Sequence, residues 1–242
     1  MSLLRGHVNA RRVARRPTLA LGAFVASLAA GACSDRPSPV STDIETGDLL
    51  LSFALEASAS ETKLSGTIRG PESVAVRLVE GDHLLLEDAT RTFPVQPDTG
   101  TFAARLPALE GTVTLRLVRP TERGAGTAKT AYVPRPFAVE APSKVRFSDG
   151  FVVTWNAFSE GDYSTEMSLS GPCITQVTRP LAFDSGTYRF DPGSLVESSR
   201  DAGASGCEVV VEVRKTSPAA SPGTYRSTSA VRIARTIFRV SR

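Results

Sequence analysis

Histidine is almost missing from this chain: His7 and His83 are the two among 242 residues. Zinc or iron sites built on several imidazoles are therefore excluded, as is an HExxH metalloprotease, which needs two histidines on one helical face. No GxxxxGK[ST] phosphate loop and no GxSxG nucleophile elbow occurs. There is no CxxC pair, so a thioredoxin-like redox motif is also missing. Aromatic residues make up 7% of the chain and form no run that could stack sugars or bases. His83 stands beside Asp82, but neighbours on a strand point to opposite faces, so the two are a poor acid–base pair. No enzyme activity, cofactor or metal is expected from this inventory.

Long hydrophobic runs are equally scarce. Near the start, Thr18 to Ala30 is an apolar stretch of thirteen residues without a charge. As a helix it reaches about 20 Å, short of the roughly 30 Å hydrocarbon core of a bilayer. It follows five arginines and no acid in residues 1–17, which is the layout of a signal peptide. Residues 1–32 are assigned to that signal. They also carry the basic excess of the whole chain, because beyond them the balance is 23 basic against 25 acidic side chains. Nucleic acid is not an expected partner.

Leu28-Ala-Ala-Gly-Ala-Cys33 closes the signal with small residues and a cysteine. This resembles the lipobox of bacterial lipoproteins, with Ala30 standing where that family favours leucine. The resemblance implies a diacylglycerol on Cys33, cleavage just before it, and a lipid anchor in the cell envelope. Serine after the cysteine points by the same resemblance to the outer membrane of a Gram-negative bacterium. Ala30-Gly-Ala32 also fits ordinary secretion without a lipid, and both routes stay open at this level. The other two cysteines, Cys173 and Cys207, form an even pair in an oxidising compartment, where a disulfide is expected. Residues 33–48 contain two prolines and several hydroxyl side chains and read as a flexible tether.

From Leu49 onward the hydrophobic period is two. Leu49, Leu51, Phe53 and Leu55 alternate with more polar neighbours, and Val74, Val76 and Leu78 do the same. Turn residues such as Gly70-Pro71, Pro97-Asp-Thr-Gly100 and Glu110-Gly111 recur at roughly ten-residue spacing, the sign of an antiparallel sandwich or barrel. A proline-rich stretch near Val133-Pro-Arg-Pro136 suggests a boundary near 140, giving halves of 49–140 and 141–242. Phe151-Val-Val-Thr-Trp155, with the only tryptophan, resembles the second strand of fibronectin type III and immunoglobulin-like domains. The fold expected is all-β, as two tandem antiparallel β-sandwiches. A capping-box spacing at Ser194 to Glu197 suggests one or two helical turns, and Val231–Val240 is expected to be a last strand bulged near Ala234-Arg235.

One charge asymmetry stands out. Residues 214–242 carry seven basic side chains and no acid. Arg232, Arg235, Arg239 and Arg242 could hold an anionic or saccharide polymer of the envelope, or could pair across the sheet with Glu208 and Glu212. A protein partner in the envelope is the other expectation for function.

Overall fold

The alternation read from Leu49 onward becomes sixteen strands in the computed structural model, which describes residues 38–79, 81–120, 126–158, 163–198, 206–217 and 228–241. The first half supplies β1 (Leu50–Ala57), β2 (Glu61–Arg69), β3 (His83–Glu87), β4 (Thr92–Val95), β5 (Pro97–Asp98), β6 (Thr101–Pro107), β7 (Gly111–Val118) and β8 (Thr127–Val133). The second supplies β9 (Val139–Glu140), β10 (Lys144–Arg146), β11 (Phe151–Trp155), β12 (Ser164–Ser170), β13 (Val177–Leu181), β14 (Thr187–Phe190), β15 (Cys207–Thr216) and β16 (Thr228–Ser241). Among the described residues there is no α-helix, only short 3₁₀ turns at Ser41–Asp43, Thr46–Asp48 and Pro71–Ser73. The signal peptide, Cys33 and Arg242 lie outside the described residues.

One sheet runs through both halves in the order β13-β12-β15-β16-β1-β2-β6-β5, with β10 also on β16. Two smaller sheets, β4-β3-β7-β8 and β14-β11-β9, supply the opposing faces of two separate cores. The first core gathers Leu51, Phe53 and Leu55 of β1 with Leu84 and Leu86 of β3 and Val113, Leu115 and Leu117 of β7. The second gathers Phe151, Val153 and Trp155 of β11 with Val209, Val211 and Val213 of β15 and Phe238 and Val240 of β16. The architecture is all-β and compatible with sandwich packing.

The last strand ties the halves together. β15 lies antiparallel along one edge of β16 from Cys207↔Val240 to Thr216↔Val231. The other edge is shared: β1 lies parallel to it from Phe53↔Thr228 to Ala57↔Arg232, and β10 from Lys144↔Arg239 to Arg146↔Ser241. The first core ends at Val133 and the second begins at Val139, yet Ala230 of β16 belongs to the first. All strands fall within one compact unit, Pro37–Arg242.

Four expectations need correction. The bulge near Ala234-Arg235 is absent, because the β15–β16 register is unbroken; the apparent change of period arises because Arg232 points inward while Ile237 points out. Residues 74–79 make isolated bridges rather than a ladder strand, with Ala75 opposite Arg69 and Arg77 opposite Val40. Ser194 to Ser198 is not helical: the Ser194 hydroxyl donates to the Asp191 carbonyl, and Glu197 bridges Ile174.

The fourth concerns the tether, which is not free over its whole length. Ser41 is fully buried and its hydroxyl donates to the Asp82 carboxylate. The Arg119 guanidinium donates to the Ser41 and Ile44 carbonyls and to the Thr46 hydroxyl. Arg119 and Asp82 have side chains with no exposed surface and lie 3.6 Å apart. Residues 40–48 are thus strapped onto the first core by buried polar groups that local composition does not advertise. Asp82 is buried, while His83 next to it is exposed.

Cys173 and Cys207 are joined, with Cα atoms 5.9 Å apart. The bond staples the turn after β12 to the start of β15, its neighbour in the same sheet. Closing a loop of this length stabilises a fold by about 4 kcal/mol at most. Reduction is expected to lower the urea midpoint accordingly, and an unchanged midpoint would contradict this.

Candidate functional site

The richest chemistry gathers where the two cores meet. On β15 the inward positions run Val209, Val211, Val213 and then Lys215; on β16 the inward residue in register with Lys215 is Arg232. Two cations therefore lie side by side inside the sheet, and each is satisfied differently.

Arg232 is 1% exposed. Its Nε donates to the Pro134 carbonyl at 2.9 Å, and its two terminal nitrogens donate to the Ser58 and Leu109 carbonyls. These acceptors belong to the β1–β2 turn, the β6–β7 connection and the segment leading out of β8, so one guanidinium gathers three loops. Burial lowers its pKa, and the charge of Glu110 opposes that shift.

The Lys215 ammonium is fully enclosed. It donates to Asp184 Oδ2 at 2.6 Å and to the Asn156 carbonyl at 2.6 Å. The rings of Phe158 and Phe137 lie 3.6 Å and 4.6 Å from it, measured to their centres. Asp184 also accepts from Trp155 Nε1 at 2.6 Å and from the Phe158 amide at 2.9 Å. Burial lowers the Lys215 pKa against the pull of Asp184. Burial raises that of Asp184, but the donors from Lys215, Trp155 and Phe158 outweigh it and leave the carboxyl below its ordinary value. Both cations have their acceptors supplied, and the arrangement suits holding a junction rather than proton transfer or nucleophilic attack.

Beside Arg232 a cleft of about 550 Å³ opens between the β1–β2 turn, the segment Pro136–Val139 and the edge of β16. Glu56, Glu61, Lys63 and Arg235 give its rim both signs of charge, and Phe137 gives it an apolar wall. Such a cleft can bind a polar, extended molecule of mixed charge. Among the described residues no three His, Cys, Asp or Glu side chains gather as a metal site, and no helix is long and apolar enough to cross a membrane.

The arginines singled out for anion binding do not form one surface. Arg232 is a correction: it is inside the protein and spent on carbonyls. Arg235 is exposed but held by Glu212, Nε to Oε2 at 2.7 Å. Arg239 is exposed opposite Glu208. The buried partners Lys215, Asp184 and Arg119 were not singled out in the sequence, and Asp82 was considered there only as a neighbour of His83. The available signal was positional: Lys215 and Arg119 each fall on the next inward step after a run of alternating hydrophobic residues.

Acid should weaken the fold. Burial raises the Asp88 pKa, but the Arg91 guanidinium and the amides of Thr90 and Arg91 hold it down to about 2. Asp184 and Glu212 are lowered too. A carboxylate whose pKa falls on folding stabilises the native state above its unfolded value of about 3.9 and stops doing so as pH drops through the folded value. The urea midpoint is expected to fall steadily from about pH 4 towards pH 2; a flat profile there would contradict the assigned contacts.

No protein-family model matches the sequence, and no curated protein matches it significantly.

Proposed function

We propose that this chain is an exported lipoprotein, acylated at Cys33, that displays a non-enzymatic β body at the cell envelope, on the outer membrane of a Gram-negative bacterium, and acts by holding a protein partner. The observation that carries the reading is the order of segments at the start: an arginine-rich run, thirteen uncharged residues, then Ala30-Gly-Ala-Cys33. The disulfide supports it, because such bonds persist in oxidising compartments. The two cores are read as tandem immunoglobulin- or fibronectin-like sandwiches, with Trp155 buried in the second as the tryptophan of that fold would be. An interaction role is favoured over catalysis because the buried titratable groups of the junction are engaged in holding loops together. The basic final strand no longer favours an anionic polymer, since Arg232 is internal and Arg235 is paired.

Metabolic labelling with a clickable palmitate analogue, comparing wild type with Cys33→Ala in fractionated envelopes, tests the anchor. Label in the wild type that is lost in the variant supports the proposal. An unlabelled wild type recovered in the soluble fraction overturns it and makes the protein a secreted one.

A further inference from the structure

The edge of β16 that faces β1 and β10 is interrupted. β1 pairs with it as far as Arg232, and β10 resumes at Arg239. Between them, Ile233 to Phe238 are paired with β15 alone.

The direction of the free groups follows from two hydrogen bonds. The Arg239 amide donates to the Ser143 carbonyl on the β10 side, whereas the Ala230 carbonyl accepts from Ser217 on the β15 side. Main-chain groups alternate sides along a strand, so Ile233, Arg235 and Ile237 direct their N–H and C=O groups to the β1 and β10 side. The Ile233 N–H closes the last rung to the Ala57 carbonyl, and among the described residues no strand pairs with the five remaining groups, the Ile233 carbonyl and the N–H and C=O of Arg235 and Ile237. The interruption spans six residues, roughly 20 Å of strand. The mixed-charge cleft opens directly onto its first half, Ile233 to Arg235.

We infer that this interruption is a strand-addition site for an extended peptide segment of a partner protein, which completes the sheet in line with β1 and β10. Main-chain hydrogen bonds to the Ile233 carbonyl and to both groups of Arg235 and Ile237 supply the affinity, and alternate side chains supply the selectivity. One face of the incoming strand meets the apolar wall at Phe137, and the other lies among Glu56, Lys63 and Arg235, so the segment recognised alternates apolar and polar residues. Three of the outer edges are guarded: proline occupies β13 at Pro180, β4 at Pro94 and β5 at Pro97, where it removes a donor and discourages pairing. The stretch Ile233 to Phe238 contains no proline. This assignment gives the interaction role its site and rests on that part of the proposal, but not on the lipid anchor.

The test is residue-resolved amide hydrogen exchange on the full mature chain, with a blocked hexapeptide of alternating threonine and valine as probe. Without peptide, the amides of Arg235 and Ile237 exchange fast while those of Ala234 and Thr236 are protected by β15 and that of Ile233 by β1. Saturating peptide slows the amides of Arg235 and Ile237 at least tenfold. The same peptide N-methylated at alternate residues, so that its bonding edge has no donors, leaves them unchanged. Protection already present in the free protein, protection that grows with protein concentration alone, or equal effects of the two peptides would each overturn the assignment. Palmitate labelling reads the anchor separately, so the failure of one leaves the other standing.

Discussion

Replacing Arg232 with methionine is expected to lower the stability of the whole protein by about 4 kcal/mol, because the carbonyls of Ser58, Leu109 and Pro134 lose their donors in a buried place. For a chain of this size that corresponds to a fall of about 12 °C in Tm. Arg232→Lys is expected to cost about half as much: it keeps the charge but cannot reach three divergent carbonyls from one nitrogen. Urea titrations of the three proteins distinguish the fork from the charge. Equal stability of wild type and the methionine variant would show that the three loops are held by something else.

Removing Asp184 is expected to be as damaging. Asp184→Ala strands the Lys215 ammonium between two phenyl rings with the Asn156 carbonyl as its remaining acceptor, and it also deprives Trp155 Nε1 and the Phe158 amide of theirs. Breaking a buried pair from one side costs about 3–5 kcal/mol. Lys215→Met leaves the carboxylate two neutral donors and should cost less. The double variant is expected to be more stable than the sum of the single losses predicts, by about 2 kcal/mol, since it removes the stranded charge. Strict additivity in that cycle would mean that the two groups do not stabilise one another.

The fold was legible wherever hydrophobic alternation met a two-sided sheet. β1 lies where the alternation from Leu49 to Leu55 puts it, and Phe151, Val153 and Trp155 of β11 are buried together on one face. The pairing of β1 with β16 was not legible, because it joins residues about 175 apart in the chain through main-chain groups that every residue shares. The strap at residues 40–48 was hidden for a different reason. Its composition is that of a linker, and what fixes it is Arg119, more than 70 residues away.

The candidate site was misread through charge. A run of arginines in the final strand looks like one basic surface until strand parity is applied: even-numbered residues of β16 face inward, which buries Arg232 and leaves Arg235 and Arg239 outside. On β15 the odd-numbered residues face inward, which sends Lys215 into the core. Continuing each hydrophobic alternation by one step, and asking which charged residue lands on the inner face, would have found Lys215 and Arg119 from the sequence.

The central claim is that β16 welds two cores into one cooperative body, and the sole tryptophan makes it directly measurable. Trp155 lies in the second core, so its fluorescence reports that core alone, whereas far-ultraviolet circular dichroism reports strands of both. In a urea titration of the oxidised mature chain, the two signals should trace one transition with the same midpoint and slope. Two separated transitions, with tryptophan fluorescence following only one of them, would contradict the account and describe two independent domains on a linker.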